Sequence, residues 1–382
     1  LHLSLRRQRQ MCIRDRPNLF CVIGVIVFAM ISSTSHAFKL STEGTAMERK
    51  LSRMNSGFFD KLLNSAALKG LPLFTEAVHE EITQRIYGCE GDTTFCKDAD
   101  LGMASPYVIA GVRWNDDPPF RLLPDQAKNL SCKTDETVRF ITQPKCWAGL
   151  FWDAEKRAKT GATMDASNGY SLLHRSHFGD LQFLHAMASK DGETPEMTRK
   201  KILMWAEFSW RIALREYRLD TRLRDVKIEG FSEHFGKTEW NVQDLFTLGN
   251  VALRRNIDEV AFGSLLHVVE DSFAAGHVER AEPIYGKQCD GSGALFKPGS
   301  IVQFHAYGNQ DTDLHAQADS SAALNYSRAT SQGGVIEVGR NLVAMLDKNS
   351  PWDSVKPYLE CVFELKDRAT PASAGSAFHK TN

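Results

Sequence analysis

The chain has 382 residues, of which 42% are hydrophobic and 24% charged, and its formal net charge is −1. This is the composition of an ordinary globular protein, with ample material for a core. Without residues 1–37, which hold five Arg and one Asp, Lys plus Arg falls from 46 to 41 and Asp plus Glu from 47 to 46, giving about −5. In the absence of a long basic run, this charge argues against tight, sequence-independent binding of nucleic acid.

The first 37 residues are predicted to lie outside the folded domain. Residues 1–10 show no structural pattern and do not look native. Two arginines then precede a thirteen-residue apolar run over 19–31, and residues 35–37, Ser-His-Ala, form a small-x-small site. This pattern is typical of a secretory signal peptide cleaved after Ala37. The alternative is a membrane anchor, for which the run is short. We therefore expect a secreted or periplasmic protein.

Export would make the cysteines candidates for disulfides. Six of them follow residue 37: Cys89, Cys96, Cys132, Cys146, Cys289 and Cys361. The simplest of the fifteen possible pairings joins neighbours, so that two short loops and one long loop are closed. A thiolate zinc site is the competing interpretation. It is disfavoured because no Cys-x-x-Cys pair is present.

Residues 38–367 are predicted to form one mainly helical domain, because apolar residues recur at helical spacing. The predicted helices are 47–69, 75–88, 101–113, 196–217, 242–253, 257–271, 312–326, 335–346 and 352–365. Residues 119–167 are expected to be rich in loops, residues 281–304 to form a long loop, and residues 368–382 to form a flexible tail. The aromatic stripe around Trp205 and Trp210 is assigned to the core in preference to a lipid-binding surface.

Histidines and aspartates recur at a spacing that lets one helix face grip one ion. His267 and Asp271 are four residues apart, and the small residues that follow let the chain turn so that His277 faces the same cavity. His315 and Asp319 repeat the spacing on another predicted helix. Each pair alone is most often an ordinary hydrogen-bonded pair, but their joint occurrence indicates a metal cluster. Further candidates upstream are His79, Asp116 and His177.

These motifs resemble the zinc-dependent phospholipase C and single-strand nuclease superfamily. Its central motif, His-x3-Asp-x5-His, matches His267, Asp271 and His277 at both intervals. The other motifs follow in the family's order: a single histidine at His79, Trp-x-Asp at Trp114 to Asp116, His-Phe-x-Asp at His177 to Asp180, and His-x3-Asp at His315 to Asp319. The resemblance spans residues 79–319 and implies a mostly helical fold with a cleft that holds three zinc ions.

Carried over motif by motif, the resemblance assigns eight metal ligands. The first zinc would be held by Asp116, His177, His267 and Asp271, the second by His277, His315 and Asp319, and the third by His79 with Asp271 as a bridge. Processed family members begin with a tryptophan that binds the third zinc, whereas the predicted mature start here is Phe38. The number of zinc ions is therefore expected to be two or three.

Several neighbouring residues compete for these roles. Asp117 is an alternative to Asp116, and His305 is an alternative to the final pair. His174 is assigned to the surface or to a supporting position, and His185 to the core.

One neighbour of the central motif is expected to lie outside the site. Glu270 is next to Asp271 but points about 100° away on a helix, and it is expected to tolerate Gln.

The resemblance implies hydrolysis of a phosphodiester by zinc-activated water. The catalytic residues would be Asp116, Asp117 and Asp271, and Asp117 or Asp180 could act as general base. Because the charge is mildly acidic, we predict a phospholipase C that cleaves glycerophospholipids at a membrane surface to diacylglycerol and a phosphorylated headgroup. No stable protein partner is implied.

Two alternatives belong to other functional classes. The first is an extracellular zinc nuclease or 3′-nucleotidase. It needs aromatic platforms for bases, for which Phe178, Trp147 and Trp152 are candidates. The second is a non-catalytic secreted protein that binds zinc.

Overall fold

The computed structural model describes residues 40, 44–51, 76–128, 130, 132–248, 250, 252–289, 296–324 and 333–379. The predicted signal peptide, Phe38 and most of the predicted helix 47–69 lie outside these residues. Across the ranges that are described, no helix is long and apolar enough to cross a membrane.

The described residues are mainly helical, as predicted. The α-helices are α1 Ala46–Leu51, α2 Val78–Ile86, α3 Thr93–Cys96, α4 Pro106–Val112, α5 Pro124–Ala127, α6 Pro144–Lys159, α7 Leu172–Phe178, α8 Pro195–Ala213, α9 Phe231–Phe235, α10 Val242–Thr247, α11 Ile257–Asp271, α12 Thr312–Ala318, α13 Val335–Asp347 and α14 Trp352–Val362. The 3-10 helices are Ala166–Asn168, Gln182–His185, Leu223–Asp225, Leu253–Asn256 and Tyr307–Asn309.

Helix α11 is the centre of the core. Thirteen of its fifteen residues are buried, and it packs against α4 on one side and α8 on another. A helix that is apolar nearly all round is expected in the middle of a protein. On α8, Trp205 and Trp210 are fully buried, so the aromatic stripe belongs to the core and forms no lipid-binding surface.

Two glycines let α4 and α11 approach until their backbones touch. A Cβ added at Gly111 would clash with the carbonyl of Val260, and one added at Gly263 would clash with the carbonyl of Val108. This contact sets the position of the polar end of α11 relative to the residues that follow α4.

We expect Gly263→Ala to lower the free energy of unfolding by about 2 kcal/mol. The clash is with backbone that cannot rotate away, and overpacking of this kind costs about 1–3 kcal/mol or more. Alanine returns about 1 kcal/mol of helix propensity. Gly149→Ala on α6 is the matched control, because its Cβ would meet only Leu130 Cδ2 at 3.4 Å. Denaturant unfolding measures both, and equal stability of the two variants would contradict the close approach.

Helix α4 is shorter than predicted, because it begins only at Pro106. Ser105 is its cap, and its hydroxyl accepts a hydrogen bond from the Tyr107 N–H. Proline at the first helical position is favoured because its missing N–H needs no partner there.

The prediction that residues 119–167 are rich in loops missed the sixteen-residue helix α6, which lies within them. Trp147, Leu150, Phe151 and Ala154 are buried, at the spacing that forms one apolar helix face. Their rings and methyl groups form part of the main core.

The prediction of a long loop over 281–304 was also wrong, because short strands run through it. β1 Val278–Arg280 pairs antiparallel with β4 Ile301–Phe304, with an irregularity between Glu279 and Arg280. β2 Ile284–Tyr285 pairs antiparallel with β3 Phe296–Lys297. Strands of two to four residues are too short to show the alternation that identifies a strand in sequence.

The segment after residue 368 was predicted to be flexible, but its described part is packed onto the fold. Ala372 and Ala374 are buried. The N–H of Ala372 donates to the Glu193 carbonyl, and the N–H of Ala306 donates to the Ser373 carbonyl. This segment therefore supports the chain that leads to His315.

The three predicted disulfides are present. They join Cys89 to Cys96, Cys132 to Cys146, and Cys289 to Cys361. Such bonds are compatible with an oxidising, extracellular compartment.

Candidate metal centre

Nine buried histidines and aspartates converge at the polar end of α11. Eight of them are the predicted ligands and the ninth is His185. In chain order they are His79 on α2, Asp116 after α4, His177 on α7, His185 in a 3-10 helix, His267 and Asp271 on α11, His277 after it, and His315 and Asp319 on and just after α12. None exposes more than 8% of its surface.

Six of the nine form an inner group, which consists of His79, Asp116, His177, His185, His267 and Asp271. Asp271 lies at its centre. Its Oδ2 is 2.9 Å from His267 Nε2 and 3.0 Å from His185 Nδ1, and its Oδ1 is 3.4 Å from His79 Nε2. Atoms this close can share one or two cations.

Asp116 occupies the other side of the inner group. One of its oxygens, Oδ1, is 3.6 Å from His185 Nδ1 and 4.0 Å from His177 Nε2, while Oδ2 is 3.9 Å from His79 Nε2. Neither oxygen accepts a hydrogen bond from any residue that the structure describes. Leaving a buried carboxylate in this state is costly, and a cation would satisfy it.

The other three residues form an outer group of His277, His315 and Asp319. Asp319 Oδ2 is 3.0 Å from His315 Nε2 and 3.6 Å from His277 Nε2. His277 Nδ1 is 3.7 Å from Asp271 Oδ2, so the two groups adjoin.

Backbone carbonyls fix the orientation of two imidazoles. The Nδ1–H of His267 donates to the Val112 carbonyl at 2.7 Å, and the Nδ1–H of His277 donates to the His185 carbonyl at 2.7 Å. A carbonyl can only accept, so Nδ1 carries a proton in both rings and Nε2 is the nitrogen that faces the group, where it can bind a metal once it carries no proton. Metal-binding histidines are oriented in this way in proteins.

Glu270 contacts a predicted ligand, His79, contrary to the expectation that it lies outside the site. Its side chain is fully buried, its Oε2 lies 2.6 Å from His79 Nδ1, and its Oε1 accepts a hydrogen bond from the Thr83 hydroxyl at 2.7 Å. The direction was correct, since it does point away from Asp271, but helix α2 packs on that side and brings His79 to it.

We expect Glu270→Gln to weaken metal binding by about 10–100-fold. Carboxylates that orient a metal-bound imidazole have effects of this size. The variant keeps the volume of the side chain but loses the charge that faces His79. Competition with a chelator measures the affinity. Unchanged affinity would show that His79 needs no partner or is no ligand.

Burial and neighbouring charges shift the pKa values of Asp116 and Asp271 in opposite directions. Burial raises the pKa of Asp116 well above its ordinary value, and the negative charge of Asp271 adds to the effect. Burial also acts to raise the pKa of Asp271, but the surrounding histidines, His277 foremost, outweigh it and hold the pKa well below its ordinary value.

The pKa values of three imidazoles are also shifted. Burial lowers the pKa of His79 to about 3 and that of His185 to about 4. These two are therefore neutral at physiological pH, which is the form that binds metals. Burial opposes a charge on His277, but Asp271 and Asp319 outweigh it and raise its pKa to about 9.

The assignment of His185 to the core was incomplete. Its ring is buried, but its Nδ1 faces Asp271, Asp116 and, at 3.1 Å, His267 Nε2. No sequence spacing pointed to it, because it lies in a 3-10 turn eight residues after His177.

The structure does not bring the two candidates for general base to the site. Asp117 accepts a hydrogen bond from the Phe140 N–H at 2.8 Å and pairs with Arg139 at 3.2 Å. Consecutive residues in the turn after α4 point to opposite sides, so Asp116 enters the group and Asp117, predicted as catalytic, does not. Asp180 is held by Arg175 and by His234.

The rival histidines also lie outside the groups. His305 Nδ1 donates to the Gly276 carbonyl at 3.0 Å, and the residue stands behind the turn that carries His277. His174 contacts Ser171 at 2.8 Å and Asp153 at 3.1 Å, so it supports its own helix.

Aromatic rings stand beside the two groups. Phe151 and Trp147 of α6 meet the His177 ring edge-on. Tyr307 is partly buried, with its ring 5.2 Å from His315 and 5.1 Å from Phe178. Burial raises its pKa well above the ordinary value, and the charges of Glu155, Asp319 and Asp116 add to the effect.

Comparison with protein-family models, with curated proteins and with solved structures finds no match to this chain.

Proposed function

We propose that the chain is a secreted zinc-dependent phosphodiester hydrolase, and most specifically a phospholipase C. The observation that carries the proposal is the convergence of nine buried histidines and aspartates. Eight of them match the ordered motifs of the zinc phospholipase C and nuclease superfamily.

The donor set supports zinc as the metal. Imidazole nitrogen and carboxylate oxygen are zinc's usual ligands outside thiolate sites. Corners of a zinc tetrahedron with bonds of 2.0–2.1 Å lie roughly 3.3 Å apart. The distances around Asp271 Oδ2 and Asp319 Oδ2, from 2.9 to 3.7 Å, bracket this value.

The two groups suggest different tasks. The inner group has enough donors to surround an ion, whereas the outer group offers three side chains, the number found at catalytic zinc sites with one open position. Bound zinc would supply hydroxide near neutral pH and neutralise charge on the phosphodiester.

The chain's own residues would position the reaction. His267 and His277 are held by backbone carbonyls, so their Nε2 atoms need no rearrangement to bind. Tyr307 is protonated at neutral pH, and its hydroxyl is a hydrogen-bond donor suited to a phosphoryl or leaving oxygen. Asp117 and Asp180 are engaged elsewhere, so neither carboxylate is placed to take a proton from water.

Charge favours a lipid over a nucleic acid as substrate. The predicted mature chain carries about −5, and no basic stripe is present in the sequence. Of the three aromatics considered as base platforms, Trp147 is fully buried and Phe178 is 7% exposed. Only Trp152, at 39%, is open enough for a base to stack on it.

Incubating purified, zinc-loaded protein with phosphatidylcholine vesicles and, separately, with single-stranded DNA tests the proposal. We expect diacylglycerol and phosphocholine from the vesicles, and much slower release of nucleotides from DNA. The matched control is Asp319→Asn, which removes the charge of the outer group and is expected to abolish turnover. Faster cleavage of DNA would favour the nuclease. Bound zinc without hydrolysis of either substrate would favour a non-catalytic zinc-binding protein.

A further inference from the structure

We infer that His185 is a metal ligand, which binds through Nδ1 in the inner group together with His267 and Asp271. The inference rests on the proposed metal site and adds to it a residue that the motifs did not assign.

Distances carry the first part of the argument. His185 Nδ1 is 3.0 Å from Asp271 Oδ2, 3.1 Å from His267 Nε2 and 3.6 Å from Asp116 Oδ1. These three values centre on the roughly 3.3 Å edge of a zinc tetrahedron. The edge between His267 Nε2 and Asp271 Oδ2 is 2.9 Å. His185 Nδ1, His267 Nε2 and Asp271 Oδ2 therefore have the separations of ligands around one small cation, and Asp116 lies beside them.

The contact between the two histidines supports the same conclusion. His267 donates from Nδ1 to the Val112 carbonyl, so its Nε2 presents a lone pair to His185 Nδ1. If His185 Nδ1 also presents a lone pair, the two nitrogens repel unless a cation lies between them. The neighbouring carboxylates of Asp271 and Asp116 add negative charge that the same cation would neutralise.

Position in the fold explains why His185 can play this role. It closes the 3-10 helix Gln182–His185, and the next residue, Ala186, adopts a left-handed conformation with φ of 52°. The carbonyl of His185 accepts the Nδ1–H of His277 at 2.7 Å. One residue thus contributes its ring to the inner group and its backbone to the outer group.

His177 then takes a more peripheral place. Its Nε2 is 4.0 Å from Asp116 Oδ1, which is longer than the distance from His185, and its ring lies edge-on to Phe151 and Trp147. Two sets of three residues could each hold a metal ion: Asp116, His177 and His185 form one, and His185, His267 and Asp271 form the other. His185 belongs to both sets.

The alternative role for His185 is that of a hydrogen-bond donor to Asp271. His185→Asn separates the two roles, because an Asn amide can place an N–H near the position of Nδ1 but is a poor zinc ligand. His174→Asn is the matched control: it is equally buried but is bonded to Ser171 and Asp153.

The experiment titrates Zn²⁺ into the full, metal-free chain in competition with a chromophoric chelator. For His185→Asn we expect the loss of one tightly bound equivalent, or at least about a 100-fold fall in its affinity, beyond the usual effect of a residue that only supports a ligand. His174→Asn should bind like the original protein. If His185→Asn kept the number of equivalents and their affinity, the ligand role would be overturned.

A second variant covers the case in which His185→Asn does not fold. His185→Cys loaded with Co²⁺ should show thiolate-to-cobalt charge-transfer absorption, which arises only if residue 185 touches the metal. Bound Co²⁺ without this absorption would count against the inference.

Assaying phosphatidylcholine hydrolysis on the same preparations keeps the two proposals apart. If His185→Asn loses zinc but the original protein hydrolyses no phosphodiester, the ligand role stands and the proposed function fails. If the original protein is active and His185→Asn binds zinc normally, the function stands and the ligand role fails.

Discussion

Replacing Asp271 with Asn is expected to lower turnover by at least about two orders of magnitude, a few kcal/mol of transition-state stabilisation, and to release zinc. Asp271 contacts three imidazoles of the inner group within 3.4 Å. Asparagine keeps the shape of the side chain but loses the charge that would screen neighbouring cations. Turnover and zinc content measured on one preparation check the result.

The same substitution should leave the fold in place. Val268 and Val269, the two residues after His267, are fully buried and hold α11 in the core without help from Asp271. The melting temperature should therefore fall only by what lost metal binding explains.

Asp258 on the same helix serves as the control, in place of Glu270, which the sequence suggested. Glu270 is unsuitable because it contacts His79. Asp258, in the first turn of α11, pairs with Arg215 at the surface, and Asp258→Asn should keep both zinc and activity. If Asp271→Asn behaved like Asp258→Asn, the assignment of Asp271 to the centre of the inner group would be wrong.

Removing the disulfide between Cys289 and Cys361 is expected to cost about 4 kcal/mol of stability, the largest such effect among the three bonds. The two residues are 72 apart in sequence, and in the chain-entropy estimate the stabilisation grows with the length of the closed loop. The measurement compares denaturant unfolding of the Cys289→Ser/Cys361→Ser protein with that of the original.

The matched control removes the bond between Cys89 and Cys96, which are 7 residues apart, and should cost only about 2.5 kcal/mol by the same estimate. The long-range bond fastens the strands after His277 to α14, where the Ile301 N–H also donates to the Glu364 carbonyl. Zinc content should therefore survive its removal under native conditions. A smaller effect for the long loop than for the short one would contradict the entropic origin.

The features that were predictable from the sequence are those that depend on the spacing and order of residues along the chain. Helix α11 has the predicted bounds because apolar residues recur along its whole length, and the His-x3-Asp spacing on it places His267 and Asp271 together. The three disulfides were predictable because neighbouring cysteines are the simplest partners. Eight site residues followed from the order of motifs.

The features that could not be predicted depend on contacts between distant segments. Glu270 does point away from Asp271, but the sequence does not show that helix α2 packs there and brings His79 into contact with Glu270. His185 lies in an irregular turn, where spacing does not reveal the direction of a side chain. Asp117 was the alternative to Asp116, but its carboxylate pairs with Arg139, which is 22 residues further along the chain.

The most direct test of the metal cluster is elemental analysis of the full chain, purified without chelator and shown to be folded. Nine buried histidines and aspartates are more than one ion can use, since zinc takes four ligands. We predict two or three equivalents of zinc per chain. At most one equivalent in active protein would contradict the cluster, and with it the proposed chemistry.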